Sequence, residues 1–208
     1  NLSRGHRDLV PGGEFCAGDI GNPDDVAQVF EEHPIKAVMH FAAHSLVGES
    51  VELPLVYYRN NVANTLTLLE AMQQAGIRHF IFSSSAAVYG EPQQTPISED
   101  HPCVPENPYG ATKLAVERVL HDVSQANGMT YSVLRYFNAA GADASGKVGE
   151  RHQPETHLIP LVLQVATGER ESIKIFGEDY PTPDGTCLRD YIHVSDLTRA
   201  HLLTLEAL

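Results

Sequence analysis

The chain has 208 residues, of which 42% are hydrophobic and 20% are charged, and this composition is typical of one globular domain and part of a second. It excludes a disordered, coiled-coil or collagen-like chain. The formal net charge of −13 has the wrong sign for a surface that gathers nucleic-acid phosphates or anionic lipids. We therefore expect neither a nucleic acid nor a membrane as partner.

The sequence favours a cytoplasmic protein. No apolar run reaches the roughly 20 residues that cross a bilayer, and the first residues lack the apolar segment of a signal peptide. The three cysteines, Cys16, Cys103 and Cys187, lie far apart and outside any CxxC pair. We expect neither a disulfide framework nor a thiolate metal site from them.

Short β-branched or aromatic runs alternate along the chain with longer segments of helical periodicity. In chain order, the pattern predicts a strand at 14–19, a helix at 22–32, a strand at 37–41, a helix at 57–76, a strand at 79–83, a helix at 109–127, a strand at 131–137 and a helix at 194–208. Nearly continuous apolar strands separated by helices indicate a doubly wound α/β domain with a parallel sheet. Ligands bind such sheets beyond the carboxyl ends of the strands.

The texture of the chain changes after Gly141, where loops rich in Gly, Pro and Asp predict a smaller, irregular second region. We therefore divide the chain into a first domain at 1–140 and a second region at 141–208, part of which returns to the first domain. The chain opens without Met and stops inside a predicted helix. We expect both ends to be cut from a longer protein.

Hydroxyl groups follow the predicted strand at 79–83, where Ser83, Ser84 and Ser85 stand in a row. Such a run alone is more typical of a turn than of catalysis. Downstream, Tyr109 and Lys113 are four residues apart and share one face of a helix. A nearby ammonium stabilises a phenolate and lowers the pKa of a tyrosine from its usual value of about 10. This arrangement predicts a general base for the proton of an alcohol.

With these residues the chain resembles the extended short-chain dehydrogenase/reductase family, and within it the UDP-glucose 4-epimerase branch. The matching strings run in order over nearly the whole chain, at 40–43, 47–50, 57–61, 82–90, 107–113, 135–138, 155–160, 177–186 and 188–193. The string at 179–193 is particular to this branch. The resemblance implies an incomplete Rossmann-like NAD-binding domain at 1–140 and a partial UDP-sugar region at 141–208.

The resemblance also implies a reaction and the residues that perform it. Tyr109 would take the proton of the sugar 4-hydroxyl while hydride leaves C4 for NAD, Lys113 would hold the nicotinamide ribose, and Ser85 would hydrogen-bond the reacting oxygen. The 4-keto sugar would turn over and regain hydride on its other face. UDP-glucose and UDP-galactose would be interconverted.

Further positions match the binding residues of the family. The cofactor set is Asp19 and Ile20 on the adenine side, Phe41, Ala42 and Ala43 along the pyrophosphate, then Asn60, Lys113 and Tyr136. The substrate set is Ser85 and Tyr109 at the sugar, then Asn138, Leu158, Phe176 and Arg189 on the UDP side, where a guanidinium suits a diphosphate.

The chain departs from the family pattern in two ways. Ser45 stands where several members have a lysine, and the glycine-rich phosphate turn of the first strand-helix-strand unit, about 30 residues long, is not in the sequence. Residues that close over the sugar would lie beyond Leu208. We therefore expect the chain to be inactive alone, and acceptance of N-acetylated sugars stays open.

Related reactions and other functional classes compete with this interpretation. A 4,6-dehydratase needs an extra acid and base beside Ser85. Ala86 and Ala87 stand there and cannot move protons, so a dehydratase is disfavoured. UDP-glucuronate epimerases and decarboxylases remain alternatives. A non-catalytic fragment is a further alternative. The string at 141–147 spells most of a phosphate-binding P-loop, but Val148 stands where a hydroxyl should bind Mg²⁺ and no helix signal follows.

Two expectations concern metals and assembly. His40 and His44 are four apart, but a turn separates them, so we expect no metal site there or elsewhere. The predicted helices at 57–76 and 109–127 carry more apolar positions than one sheet face needs. The resemblance implies a homodimer through these helices, and a purely intramolecular core explains the pattern equally well.

Overall fold

A computed structural model describes residues 1–208, and the chain divides into two compact units. The first unit contains Asn1, Cys16–Tyr136 and Ala200–Leu208, and the second contains Leu2–Phe15 and Phe137–Arg199. This differs from the predicted division at residue 140, since residues 2–15 group with the second unit and the boundary follows Tyr136.

The chain forms seven α-helices and five strands. The helices are α1 (Pro23–Glu32), α2 (Val47–Glu52), α3 (Pro54–Tyr57), α4 (Asn64–Gln74), α5 (Pro108–Asn127), α6 (Leu158–Ala166) and α7 (Val194–Ala207). The strands are β1 (Ala37–His40), β2 (His79–Ser83), β3 (Thr130–Leu134), β4 (Asn138–Ala140) and β5 (Tyr191–His193). None of the helices combines the length and the apolar character that a membrane span requires.

The first unit is built on a parallel sheet of strand order β1-β2-β3. Its middle strand is buried on both faces, and Phe80, Ile81 and Phe82 are at most 2% exposed. Such burial is what a sheet covered by helices on both sides requires of a central strand. The predicted α/β class with a parallel sheet is therefore confirmed.

The helices begin where the sequence supplies caps. Asn22 accepts a hydrogen bond from the amide of Asp24 and precedes Pro23, and Asn107 accepts one from the amide of Gly110 and precedes Pro108. An Asn cap followed by Pro satisfies a free amide and presets the first helical φ. Helix α5 ends at Gly128, whose φ of 72° is the left-handed conformation that glycine adopts without strain.

The predicted helix at 57–76 is a continuous helical run from Pro54 to Gln74 with a change of pitch inside it. Tyr58–Ala63 forms one π-helical turn between α3 and α4. Such turns are rare and commonly occur at functional sites. Apolar periodicity predicted the run, but it carries no signal for the wider turn.

The larger of two hydrophobic clusters in the first unit lies between the sheet and the helices. Its buried members are Val26, Leu68, Leu69, Ala71, Met72, Ile77, Phe80, Phe82, Val116, Leu120 and Met129. The second unit contains the parallel pair β4-β5, helix α6 and a short 3-10 turn at Arg7–Leu9, and none of its residues is buried.

The predicted strand at 14–19 is wrong, because this segment belongs to no sheet. A strand needs a neighbour to accept its backbone hydrogen bonds, and neither sheet extends to this segment. The predicted strand at 131–137 is shorter than expected, since β3 ends at Leu134 and a separate strand begins at Asn138.

Candidate active site

The parallel register brings the carboxyl ends of the three strands to one edge of the sheet. His40 pairs with Phe82 and Ser83 pairs with Leu134. The residues that follow these strands, including the predicted Phe41, Ser85 and Tyr136, therefore emerge at the same edge. This is the edge at which parallel α/β sheets bind ligands.

Ser85 and Tyr109 meet at this edge. The Ser85 hydroxyl accepts a hydrogen bond from the amide of Ala87 at 3.1 Å, and its side chain lies near enough to Tyr109 to act on the pKa of the phenol. Tyr109 is the second residue of α5, and Gly110 lets the helix approach the turn at Ala86–Val88. A Cβ built on Gly110 would lie 2.5 Å from the carbonyl oxygen of Ala87.

Lys113 lies one helical turn beyond Tyr109 and is 3% exposed. Its ammonium donates a hydrogen bond to the carbonyl oxygen of Ser83 at 2.8 Å. The Nζ atom lies 4.9 Å from the centre of the Phe82 ring and 5.8 Å from that of Tyr109. Burial lowers the pKa of Lys113 from 10.5 to about 8, although the nearby Glu117 carboxylate acts to raise it.

The expectation that Lys113 lowers the pKa of Tyr109 is wrong for this structure. Burial raises the pKa of Tyr109 above 10, the charge of Tyr136 adds to the rise, and only the hydrogen bond with Ser85 acts in the opposite direction. Tyr109 is therefore a phenol at neutral pH.

A partly buried ion pair lies next to Lys113 along α5 and was not predicted from the sequence. Glu117, one turn after Lys113, is paired with Arg135, whose Nη2 atom is 2.6 Å from Oε2 and whose Nε contacts both carboxylate oxygens. The hydroxyl of Ser84 donates to the same carboxylate at 2.5 Å. Arg135 also donates to the Tyr89 hydroxyl at 3.2 Å. The spacing of Lys113 and Glu117 at i,i+4 was the available signal.

Tyr136 occupies the edge beyond β3. Its hydroxyl is hydrogen-bonded to the side chain of Ser83, and burial raises its pKa while that bond lowers it. The ring of His201 lies 4.9 Å from that of Phe41 and 6.2 Å from that of Tyr136. The residues after β1 and β3 are thus joined by an aromatic contact.

The remaining predicted cofactor residues also belong to the first unit. Asp19 accepts from the Gly21 amide at 2.8 Å and from the Asn1 side chain at 2.6 Å, and these bonds lower its pKa. Ile20 packs against the core. Ala42 is exposed and Ala43 half-buried. Asn60 lies in the π-helical turn and donates to the side chain of Asn61 at 2.9 Å.

Asn61 is a residue that sequence reasoning missed. It is 3% exposed, accepts from the His44 amide at 2.8 Å, and donates to the His44 carbonyl at 3.0 Å and to the Thr112 hydroxyl at 3.1 Å. It therefore joins the loop after β1 to α5 beside Lys113. The Asn60-Asn61 pair in the matching string was its only sequence signal.

The predicted UDP-side residues all lie in the second unit. Asn138 donates to the Asp190 carbonyl at 2.8 Å, and Arg189 donates to the Leu188 carbonyl at 2.7 Å. Leu158 is the first residue of α6 and is 51% exposed, and Phe176 is 80% exposed.

The structure does not support the P-loop alternative. The segment after β4 runs as turns and loop from Gly141 to His157, where a P-loop would start a helix directly.

The hydrogen-bond donors of the first unit suit a different ligand. One sheet edge carries the hydroxyls of Ser85, Tyr109 and Tyr136 and the ammonium of Lys113. Binding of a ribose and a sugar alcohol requires such donors and acceptors. The residues present therefore fit the nicotinamide end of a dinucleotide.

Comparison with known proteins identifies relatives along the whole chain. Residues 1–208 match the model of the NAD dependent epimerase/dehydratase family. The UDP-glucose 4-epimerase of Halalkalibacterium halodurans is 54% identical over 208 residues, which are 100% of this chain and 62% of that protein. The UDP-glucose 4-epimerase of Lacticaseibacillus casei is 52% identical over 209 residues, again 100% of this chain and 63% of that protein.

Solved structures agree with this match. The crystal structure of UDP-glucose 4-epimerase from Brucella ovis in complex with NAD has a TM-score of 0.96 at 51% identity, over 99% of this chain and 63% of that one. The enzyme from Bifidobacterium longum in complex with NAD⁺ and UDP has a TM-score of 0.89 at 44% identity, over 92% and 58% of the two chains. The chain thus spans less than two thirds of the length of these relatives.

Proposed function

Because the chain belongs to the NAD-dependent epimerase/dehydratase family, we propose that it is the central part of a UDP-glucose 4-epimerase. That enzyme would interconvert UDP-glucose and UDP-galactose by removing and returning hydride at C4 through a 4-keto sugar. The observation that carries the proposal is the group formed by Ser85, Tyr109 and Lys113 at the carboxyl edge of the parallel sheet.

The three residues have distinct parts in the proposed reaction. NAD, when bound, supplies the hydride acceptor. Ser85 hydrogen-bonds the oxygen on C4 and holds it next to Tyr109. Tyr109 in its phenolate form removes the hydroxyl proton in one direction, and the phenol so formed donates that proton to the keto oxygen in the other. Its raised pKa favours the phenol, the donating form, so removal of the proton starts from the minor phenolate form.

Lys113 supplies positive charge beside the phenol. With a pKa lowered to about 8, its ammonium is mostly protonated at neutral pH. The hydrogen bond to the Ser83 carbonyl fixes the Nζ atom at the edge of the sheet. In the proposed complex, its other protons are available to the hydroxyls of the nicotinamide ribose. Asp19, Ile20, Phe41, Ala42, Ala43, Asn60 and Tyr136 complete the proposed cofactor set.

The UDP moiety is proposed to bind residues of the second unit. Arg189 has an exposed guanidinium, which can bind a diphosphate through two parallel hydrogen bonds. Asn138 offers a side-chain amide to polar groups, and the exposed Leu158 and Phe176 offer apolar surface. The region at 141–208 is therefore proposed as part of a UDP-sugar domain.

We place the protein in the cytoplasm because its three cysteines are all free thiols, as expected in a reducing compartment. We also propose a homodimer through the helices predicted at 57–76 and 109–127. Tyr58 and Leu66 in the first of them are 42% and 40% exposed, and a second copy would cover this apolar surface. Light scattering of the whole protein tests this proposal.

The decisive experiment measures conversion of UDP-galactose to UDP-glucose by the whole protein and by its Tyr109→Phe variant. We expect the variant to lose about 100-fold or more in kcat, the scale of general acid-base catalysis. Tyr131→Phe, on β3 outside the group, is the matched control and should retain activity. Equal rates for Tyr109→Phe and Tyr131→Phe would refute the proposed role.

Two further measurements sharpen the experiment. Turnover of UDP-glucuronate in place of UDP-galactose would assign the protein to the UDP-glucuronate relatives. The 208-residue chain assayed alone should be inactive, because the glycine-rich turn that grips the pyrophosphate is not in its sequence. Retained NAD that is reduced on addition of UDP-sugar would contradict that expectation.

A further inference from the structure

Four side chains with metal-binding atoms meet in the loop before α6. Glu150, His152, Glu155 and His157 each offer one ligand atom, and these atoms all lie within 4.8 Å of one another. All four belong to the second unit. The sequence-based expectation of no metal site rested on the cysteines and on the pair His40 and His44, so it missed the E-x-H-x-x-E-x-H spacing of this loop.

The Nδ1 atoms of both histidines lie close to oxygen atoms of both carboxylates. The Nδ1 atom of His157 lies 2.7 Å from Glu150 Oε1 and 3.1 Å from Glu155 Oε1. The Nδ1 atom of His152 lies 3.2 Å from Glu150 Oε1 and 3.6 Å from Glu155 Oε2. Tetrahedral ligands bound at about 2.0–2.1 Å lie about 3.3 Å from one another. The observed distances fall on both sides of that value.

The two carboxylates are largely shielded from solvent, and that of Glu155 is fixed in position. Glu155 is 8% exposed and Glu150 19% exposed at the side chain. The Oε1 atom of Glu155 accepts hydrogen bonds from the amides of His157 and Thr156, at 2.9 and 2.8 Å, which fix the position of the carboxylate. With neutral imidazoles, the four side chains carry two negative charges, which one divalent cation cancels.

We propose that Glu150, His152, Glu155 and His157 bind one Zn²⁺ ion. Two imidazole nitrogens with two carboxylate oxygens suit zinc, whereas Mg²⁺ and Ca²⁺ prefer oxygen ligands alone. Four protein ligands fill the tetrahedron and leave no position for a reacting water, so the site is structural. It ties together the loop that ends at Leu158, the first residue of α6 and a proposed UDP-side residue.

Calorimetric titration of ZnCl₂ into the EDTA-treated protein tests the proposal. We expect one ion per chain and much weaker binding of MgCl₂. His157→Ala should weaken zinc binding by about 100-fold. Loss of a residue that only hydrogen-bonds to a ligand already weakens metal binding by about 10–100-fold, and His157 is itself a proposed ligand. His121→Ala, an exposed histidine on α5, is the matched control and should bind zinc like the unchanged protein.

A second readout guards against a variant that fails to fold. Glu155→Gln keeps the shape of the side chain but removes its charge, and it should also weaken zinc binding. Co²⁺ in place of zinc should show the visible bands of tetrahedral coordination, and zinc should slow amide hydrogen exchange across 150–157. No heat with ZnCl₂, equal binding by His157→Ala and His121→Ala, or Mg²⁺ binding as tight as that of zinc would each overturn the proposal.

Discussion

Lys113 shows what burial does to a single residue. The residue is 3% exposed. Its ammonium donates to the Ser83 carbonyl, lies near the rings of Phe82 and Tyr109, and interacts with the Glu117 charge. The pair of Tyr109 and Lys113 at i,i+4 could be predicted from sequence spacing. The direction in which the pKa of Tyr109 is shifted could not be predicted, because it depends chiefly on how deeply the phenol is buried.

The first prediction concerns the pH dependence of stability. The pKa of Lys113 is lowered to about 8 in the folded protein from about 10.4 in an unfolded chain. Between these pH values the unfolded chain binds the proton that the folded chain has released, so the free energy of unfolding should rise with pH, by roughly 3 kcal/mol. Lys113→Met should abolish this rise.

Urea unfolding at a series of pH values from neutral to alkaline measures the effect. Lys36→Met replaces an exposed lysine before β1, and it should keep the rise. The same slope in Lys113→Met and Lys36→Met would show that the folded protein does not shift the Lys113 pKa.

The second prediction concerns the ion pair of Glu117 and Arg135. Glu117→Gln preserves the shape of the side chain but removes the negative partner of Arg135. The side chain of Arg135 is 24% exposed. Breaking a buried pair in this way destabilises proteins by about 3–5 kcal/mol, and partial exposure of Arg135 favours the low end. Glu70→Gln on the exposed side of α4 should change stability little.

Glu117→Gln has a second effect that a merely structural role would not produce. The Glu117 carboxylate acts to raise the pKa of Lys113, so its removal should lower that pKa further. The pH at which the free energy of unfolding begins to rise should therefore fall in Glu117→Gln. A lower stability with no movement of that pH would leave Glu117 as a packing residue only.

At the scale of elements, local signals predicted most of the architecture. The Asn-Pro caps of α1 and α5 and the apolar run of β2 gave the elements to within a few residues. The strand predicted at 14–19 failed because pairing is a long-range property that local composition does not contain. The π-helical turn at Tyr58–Ala63 was not predicted, because a wider turn changes the spacing of apolar residues very little.

The third prediction compares two helical glycines. A Cβ on Gly110 would lie 2.5 Å from the Ala87 carbonyl oxygen and 3.0 Å from Pro105 Cβ, so Gly110→Ala should force α5 away from the turn that holds Ser85. We expect a loss of about 1–3 kcal/mol, typical of overpacking. A Cβ on Gly48 in α2 would meet no atom within 4 Å, and Gly48→Ala should stabilise by about 0.5–1 kcal/mol.

Thermal unfolding of the two variants measures the difference. The Ser85–Tyr109 contact should also loosen in Gly110→Ala, so that activity of the whole protein falls further than stability alone explains. Gly110→Ala as stable as Gly48→Ala would contradict the close approach of α5 to this turn.

At the scale of the whole molecule, charge and burial are distributed unevenly. An acidic chain of net charge −13 needs cations wherever it is to bind an anionic ligand. We propose Lys113 in the first unit and Arg189 in the second. The buried core belongs entirely to the first unit. The second unit could be located from its Gly, Pro and Asp content. The contacts between its residues could not be predicted, because loops have no periodic pattern that indicates which residues meet.

The fourth prediction follows from this uneven burial. Amide protons exchange slowly where opening requires loss of buried apolar contacts, and quickly where few such contacts exist. Amides of β2 and of the middle of α5, around Phe82, Val116 and Leu120, which are at most 2% exposed, should therefore be the most protected. Amides of α6, which has no buried residue, should exchange much faster although they too are helical. Hydrogen exchange read by mass spectrometry on the 208-residue chain tests this, and equal protection of α5 and α6 would mean that the second unit draws its stability from something other than apolar burial.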